Sequence, residues 1–310
     1  MMFGKYYVSD FLHNAPDPTS LTPEKIEARA KHMRWVHRVK LTSNYDSPGE
    51  WPKDRGLAIP KDLTGKSFLD IGAWDGIFTF QAEEAKARAV TAVDYCCWGG
   101  KEQNQPPKRG FEDQSSDGTC CWGNGRTFKL AHSARKSKAT AVRINAYDLT
   151  PARLPEGQYD VVLFSGVLYH LRYPFLALTR VASVTKDLLI LETTMRQDTS
   201  YDPRKLIKFY SSNELNSDIT NWVDPNPAAL RGMLDVLGFR VIREMPNALG
   251  DRIVLHAFKD PNSTLLAQSP AEVWLAHGSM SSFLTILVAV LCALAAAITR
   301  LVRCRACCVL

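Results

Sequence analysis

Charge of one sign is in short supply in this chain. Its 310 residues carry 38 Lys and Arg against 32 Asp and Glu, a net of +6. Three of the basic residues, Arg300, Arg303 and Arg305, stand at an acid-free C-terminal end, and without them the balance is 35 to 32, or +3. So even a balance gives no electrostatic footprint from which a nucleic-acid partner would be expected. The adjacent pairs Cys96–Cys97 and Cys120–Cys121 lack metal-site spacing, since neighbouring side chains rarely reach one tetrahedral ion, and no metal is expected. The first residues lack an apolar stretch of the secretory kind, because Lys5 and Asp10 interrupt it. The eight cysteines are therefore expected to be reduced thiols, and the globular part cytosolic.

What is present is a strand-like run closed by glycines, Ser67–Phe80, SFLDIGAWDGIFTF. An apolar strand, a glycine turn (Asp70-x-Gly72-x-x-x-Gly76) and a helix-like segment let backbone N–H groups and a helix N-terminus meet a ligand closely. A Cβ in that turn would block the approach, and the turn can demand φ > 0. The spacing is not G-x-G-x-x-G, which argues against a nicotinamide cofactor.

An alternating pattern surrounds this run. Apolar stretches at 67–71, 90–94, 141–145, 159–165 and 187–192 predict strands, with helical patterns clearest at 76–86 and 174–184. That order implies a doubly wound, mostly parallel α/β sheet with helices on both faces. Thr22-Pro23-Glu24 predicts a helix start running to about Val39, after a loosely held polar arm. Asn226-Pro227 opens a further helix that ends before Gly238, and Phe239–Glu244 and Arg252–Phe258 predict a terminal antiparallel pair. Residues 99–119, rich in Gly, Pro, Ser and Asp, predict a surface insertion.

Several positions in this pattern have chemical meaning. Asp94 ends the second strand, 18 residues beyond Gly76, where a carboxylate can accept hydrogen bonds from ribose hydroxyls. Asn145-Ala146-Tyr147-Asp148 follows the third strand, at the same edge of the expected sheet. Phe164-Ser165-Gly166-Val167-Leu168-Tyr169-His170 follows the fourth, where a reacting group would meet its acceptor. His170 has the intrinsic acidity to take a proton from a hydroxyl acceptor, or it packs as a structural histidine. Tyr210 and Trp222 either line an acceptor pocket or belong to the core.

The runs DIGAWDGIF, DYCCW, YDLTP, GVLYHLRYP and ELNSDITNWVDPN, in this order from about Arg34 to Lys259, resemble the CmoB-like tRNA wobble-uridine carboxymethyltransferase family and the bacterial-type methyltransferases grouped with it. The resemblance implies a Rossmann-like class I methyltransferase fold and S-adenosylmethionine (SAM) as cofactor. It implies cofactor contacts at Asp70, Gly72, Gly76, Asp94, Tyr95, Cys96, Ala146, Tyr147 and Ser165, with His170 and Tyr169 as catalytic candidates. Tyr169 and Arg252 match the tyrosine and arginine that hold the extra carboxylate of carboxy-SAM in that family. Pro52 and Ser47 stand where the family has a lysine and a tryptophan, a departure that favours plain SAM. The implied function is methyl transfer to a small-molecule or tRNA acceptor. The alternatives are carboxymethyl transfer to a tRNA wobble uridine, or a membrane-bound binding module on the same fold.

Beyond the resemblance, Met280–Thr299 is twenty residues without a charge, long enough at ~1.5 Å per residue to cross a hydrocarbon core. Cys307-Cys308-Val309-Leu310 also matches a C-a-a-X lipidation signal, so a spanning anchor and a lipidated tail both stay open. The expected organisation is an N-terminal arm and helix at 1–33, a catalytic domain at 34–262, a linker at 263–279, a hydrophobic helix at 280–302 and a Cys/Arg tail at 303–310. The protein is accordingly expected on a membrane through its C-terminal segment.

Overall fold

A computed structural model of the chain describes residues 10–50, 56–95, 97–98, 125–247 and 251–260. The expected insertion at 99–119, the linker, the hydrophobic helix at 280–302 and the tail lie outside the described residues. Among the described residues no helix is long and apolar enough to cross a membrane.

Five parallel strands make up most of the main sheet: β1 Ser67–Ile71, β2 Ala89–Asp94, β3 Thr140–Arg143, β4 Tyr159–Ser165 and β5 Thr185–Thr194. Two short strands, β6 Ile207–Phe209 and β7 Val223–Pro225, pair with each other apart from it. Then β8 Phe239–Pro246 and β9 Arg252–Lys259 complete the main sheet, β9 lying antiparallel between β5 and β8. The order across that sheet is β3-β2-β1-β4-β5-β9-β8. Every residue of β1 and β4 is buried, as strands covered on both faces must be. Side chains alternate between two cores. Leu69, Ile71, Val162 and Phe164 face one, shared with α4 Pro174–Val184 and α5 Pro227–Val236; Phe68, Val161 and Leu163 face the other, shared with α1 Pro23–Lys31, α2 Ile77–Glu84 and α3 Arg126–Ala134.

The helix starts follow local chemistry. Thr22 accepts from the Lys25 N–H with Pro23 behind it, and Asn226 accepts from the Ala229 N–H with Pro227 behind it. Both prolines occupy first-turn positions whose N–H has no intrahelical partner.

Three sequence expectations change. The first helix ends at Lys31, not near Val39. The carboxylate of Asp75, fully buried in the glycine turn, accepts the Val36 and His37 backbone N–H groups at 3.2 and 2.9 Å, and its other oxygen lies 2.6 Å from His37 Nδ1. Those two N–H groups cannot also serve a helix. The arm is not loose from Phe11 onward, for Phe11 is buried and stacks on Trp98 with ring centroids 4.1 Å apart. Finally, the antiparallel ribbon of β6 and β7, which lies in sequence between β5 and α5, was unforeseen. All three residues of β6 are exposed, so its sequence carries no period-2 burial pattern from which a strand could be read.

Asp75 is thus the anchor of the segment that leads into the sheet. Asp75→Ala removes the acceptor of the buried His37 N–H and the half-buried Val36 N–H and the partner of His37 Nδ1. A loss of about 3 kcal/mol of unfolding free energy is expected in urea titration, seen as a lower midpoint at unchanged slope.

Candidate functional site

The C-terminal ends of β1 and β4 flank the point where the strand order reverses, the place in open α/β sheets where a crevice forms for a ligand. Gly72 leaves β1 with φ +83°, and the N–H groups of Gly72 and Ala73 both donate to the Val93 carbonyl of β2, at 2.9 and 3.1 Å. A Cβ on Gly72 would lie 2.3 Å from Cγ2 of Val167, in the turn that follows β4. The glycine therefore lets two turns meet, and what it admits closely is a neighbouring turn of the same chain. Gly76, φ +88°, caps α2; a Cβ there would meet the rings of Phe80 and Phe128 at 2.6 and 2.9 Å. It serves the packing of α2 against α3.

The side chain of Asp70 is buried against α2. Its buried carboxylate accepts a 2.6 Å hydrogen bond from Thr79 Oγ1 of α2. Burial pushes its carboxyl up to about 6, against the opposing pull of the Thr79 hydroxyl.

Asp94 ends β2 and ties two segments together. One carboxylate oxygen accepts from the Trp74 N–H at 3.0 Å and the other from the Cys97 N–H at 3.0 Å. The first bond steadies a tryptophan with φ +48°, a left-handed backbone that a bulky residue rarely adopts unaided. A carboxylate at a strand end is the kind of group that accepts from hydroxyls. Tyr95 is half-buried beside it, and Cys96 lies outside the described residues. After β3, Asn145 caps a short turn at Ala146–Asp148 by accepting from the Tyr147 N–H. The Tyr147 hydroxyl in turn accepts from the Tyr173 N–H at 3.0 Å, tying that turn to the start of α4.

The ends of β4, β5 and β9 carry a charged network. Ser165 Oγ donates to Glu192 Oε2 at 2.8 Å, Arg252 Nε donates to Glu192 Oε1, and Arg252 Nη2 donates to the Tyr169 hydroxyl at 3.2 Å. Burial works against the Arg252 charge, but the hydrogen bond and negative charge of Glu192, with the hydrogen bond to the Tyr169 hydroxyl, outweigh it and hold the guanidinium above its usual range. The sequence placed Ser165, Tyr169 and Arg252 here and missed Glu192. Its signal was an acid inside LLILETT, a run otherwise free of charge.

His170 sits against Tyr169, ring centroids 4.2 Å apart, and its Nδ1 is 2.9 Å from the Thr220 hydroxyl. Trp222 donates its N–H to the Tyr169 carbonyl, and its ring lies under Arg172 at 4.5 Å. Tyr210 is buried, donating to Asp224 at 3.3 Å. Burial, then the Asp224 charge, pushes its hydroxyl up to about 12, and burial also raises the Asp224 carboxyl. No group of His, Cys, Asp and Glu among the described residues is arranged to hold a metal ion.

The profile of a family described as "Methyltransferase domain" matches residues 44–244. Among solved structures, the N-terminal domain of EvdMO1 in the presence of SAH and D-fucose is 15% identical, with 77% of this chain and 97% of that one covered and a TM-score of 0.51. The same domain with SAH bound is 15% identical over 77% and 97%, TM-score 0.50. At that identity the likeness is one of fold. No curated protein sequence matches the chain.

The buried Asp70 generates a pH prediction. Its folded-state value of about 6 stands above the ordinary carboxylate value of 3.8, so between these the folded state holds a proton the unfolded chain has released. Stability from this group is full below pH 4 and falls as pH rises to 6, by on the order of 3 kcal/mol. Asp70→Asn keeps an acceptor for Thr79 and removes the titration. In urea titrations at a series of pH values, the variant's stability relative to wild type should rise from pH 4 to 6 and then level off.

Proposed function

The chain belongs to the methyltransferase domain family, and on that premise we propose that it transfers the methyl group of SAM to a small-molecule acceptor. The observation that carries the reading is convergence. The glycine turn after β1, Asp94 at the end of β2, the capped turn at Ala146–Asp148 after β3 and the Ser165–His170 turn after β4 all lie at the C-terminal edge of the parallel strands, the edge on which the switch point between β1 and β4 opens. The residues are of the kind the cofactor needs: Asp94 is a carboxylate of the type that accepts from ribose hydroxyls, and Tyr147 and Ala146 supply a partly apolar wall for a base. When bound, SAM would supply an electrophilic methyl on a positively charged sulfur. The chain's part is to hold donor and acceptor in line and keep water out, which is where most of the acceleration of such a transfer comes from.

Plain SAM is favoured over carboxy-SAM because Arg252 already meets Glu192, and a donor carboxylate would have to share that guanidinium with a buried acid. Calorimetry decides both points. Asp94→Ala should weaken SAM binding by about 1–3 kcal/mol, and wild type should bind SAM more tightly than carboxy-SAM. Unchanged affinity in the variant would remove Asp94 from the site, and a preference for carboxy-SAM would turn the reading toward carboxymethyl transfer to tRNA.

Membrane attachment is proposed from the uncharged run Met280–Thr299. Full-length protein expressed with membranes should resist extraction by high salt or carbonate, and removal of 279–310 should release a domain that still binds SAM. Carbonate extraction of the full chain would sink the spanning anchor.

A further inference from the structure

The segment between β6 and β7 brings a hydroxyl and a carboxylate to His170. Thr220 Oγ1 donates to Asp218 Oδ1 at 2.7 Å and lies 2.9 Å from His170 Nδ1. The same Asp218 oxygen accepts the Thr220 N–H at 2.8 Å, which fixes the hydroxyl's position on the backbone. The segment is held in turn by Asn221 Nδ2 donating to the Leu215 carbonyl and by Trp222 N–H donating to the Tyr169 carbonyl, one residue from His170.

Proton counting assigns the tautomer. An ionised carboxylate only accepts, and a hydroxyl has one proton. With that proton directed to Asp218, the hydroxyl can meet His170 only as an acceptor, so Nδ1 must carry hydrogen. In the neutral ring the lone pair then lies on Nε2. Nothing in a simple packing role requires an imidazole to be held in one tautomer by a two-step relay to an acid.

We propose that Thr220 and Asp218 are positioning residues that keep His170 in its Nδ1–H form, so that Nε2 takes the proton of an acceptor hydroxyl. This rests on the methyltransferase reading and narrows its substrate class to alcohols and phenols. In the step, the acceptor oxygen forms the new O–C bond while the C–S bond of the donor breaks. The hydroxyl proton passes to Nε2, and the positive charge leaves sulfur and appears on the imidazolium, which later returns its proton to water. A carboxylate acceptor, ionised at neutral pH, would need no such base.

The test reads the tautomer directly. Full-length protein labelled with 15N-histidine, with His170 assigned by comparison with His170→Gln, should show a pyrrole-like Nδ1 and a pyridine-like Nε2. Asp218→Ala frees the Thr220 proton to turn toward Nδ1 and should move the ring toward the Nε2–H form. Thr220→Val should lose the preference, and Thr220→Ser should restore it. An Nε2–H ring in wild type, or a tautomer unmoved by both Asp218→Ala and Thr220→Val, overturns the relay. SAH binding measured on the same samples keeps the two readings apart. If wild type fails to bind SAH, the methyltransferase reading falls, whereas with SAH affinity retained in all variants the state of the ring alone decides the relay. With methyl-labelled SAM and the small-molecule fraction of a cell extract, the labelled product should be a methyl ether. Its formation should fall at least 100-fold in His170→Gln and about tenfold in Thr220→Val. A methyl ester, a methylated amine, or undiminished labelling in His170→Gln would overturn the base.

Discussion

The approach of the turn after β1 to the turn after β4 is the constraint on which the rest of the site depends. Without a Cβ at Gly72, Val167 comes down onto the backbone of the first turn. That contact lies at the only point in a doubly wound sheet where two adjacent parallel strands send their following helices to opposite faces. Here α2 covers one face and α4 the other. Any larger side chain at position 72 would have to displace Val167, and with it the Ser165–His170 turn that carries most of the candidate chemistry. The φ of +83° adds a second reason for glycine, independent of the first.

Around this contact, buried acids serve as fasteners more often than as ligand groups. Asp75 fixes the segment after α1, Asp94 fixes Trp74 and the chain after β2, and Glu192 joins Ser165 to Arg252. At the opposite edge of the sheet Asp160 accepts from the Ser67 N–H and hydroxyl and from Lys186. Each carboxylate is matched by donors, which is the condition for keeping such a group out of water. Asp70 is the partial exception, with Thr79 as its hydrogen-bond donor and an acidity weakened by burial. The Tyr169–His170 side of the site edge is built differently, from the exposed ribbon strand β6, β7 and the 215–222 segment, which lean on the β4 turn through Trp222 and Thr220.

The amino-acid sequence by itself determined the parallel strands, the glycine turn, the helix starts at Thr22 and Asn226, and Asp94 and Ser165 at strand ends. All of these are local: an apolar run, a capping side chain, a proline or glycine whose backbone preference acts within a few residues. Tertiary structure decided what depends on partners far along the chain. The first helix, which ends at Lys31, does not run on to Val39 because Asp75, some forty positions on, captures the N–H groups of Val36 and His37. Glu192 became part of the site because Arg252, sixty residues later, opens the strand β9 that pairs with β5 and reaches the Glu192 carboxylate there. Thr220 met His170 across fifty residues through a ribbon whose exposed strand leaves no periodic mark. Hydrogen bonds between such distant groups have no spacing rule, because their geometry is set by how the sheet and its connections pack and not by the repeat of any single element.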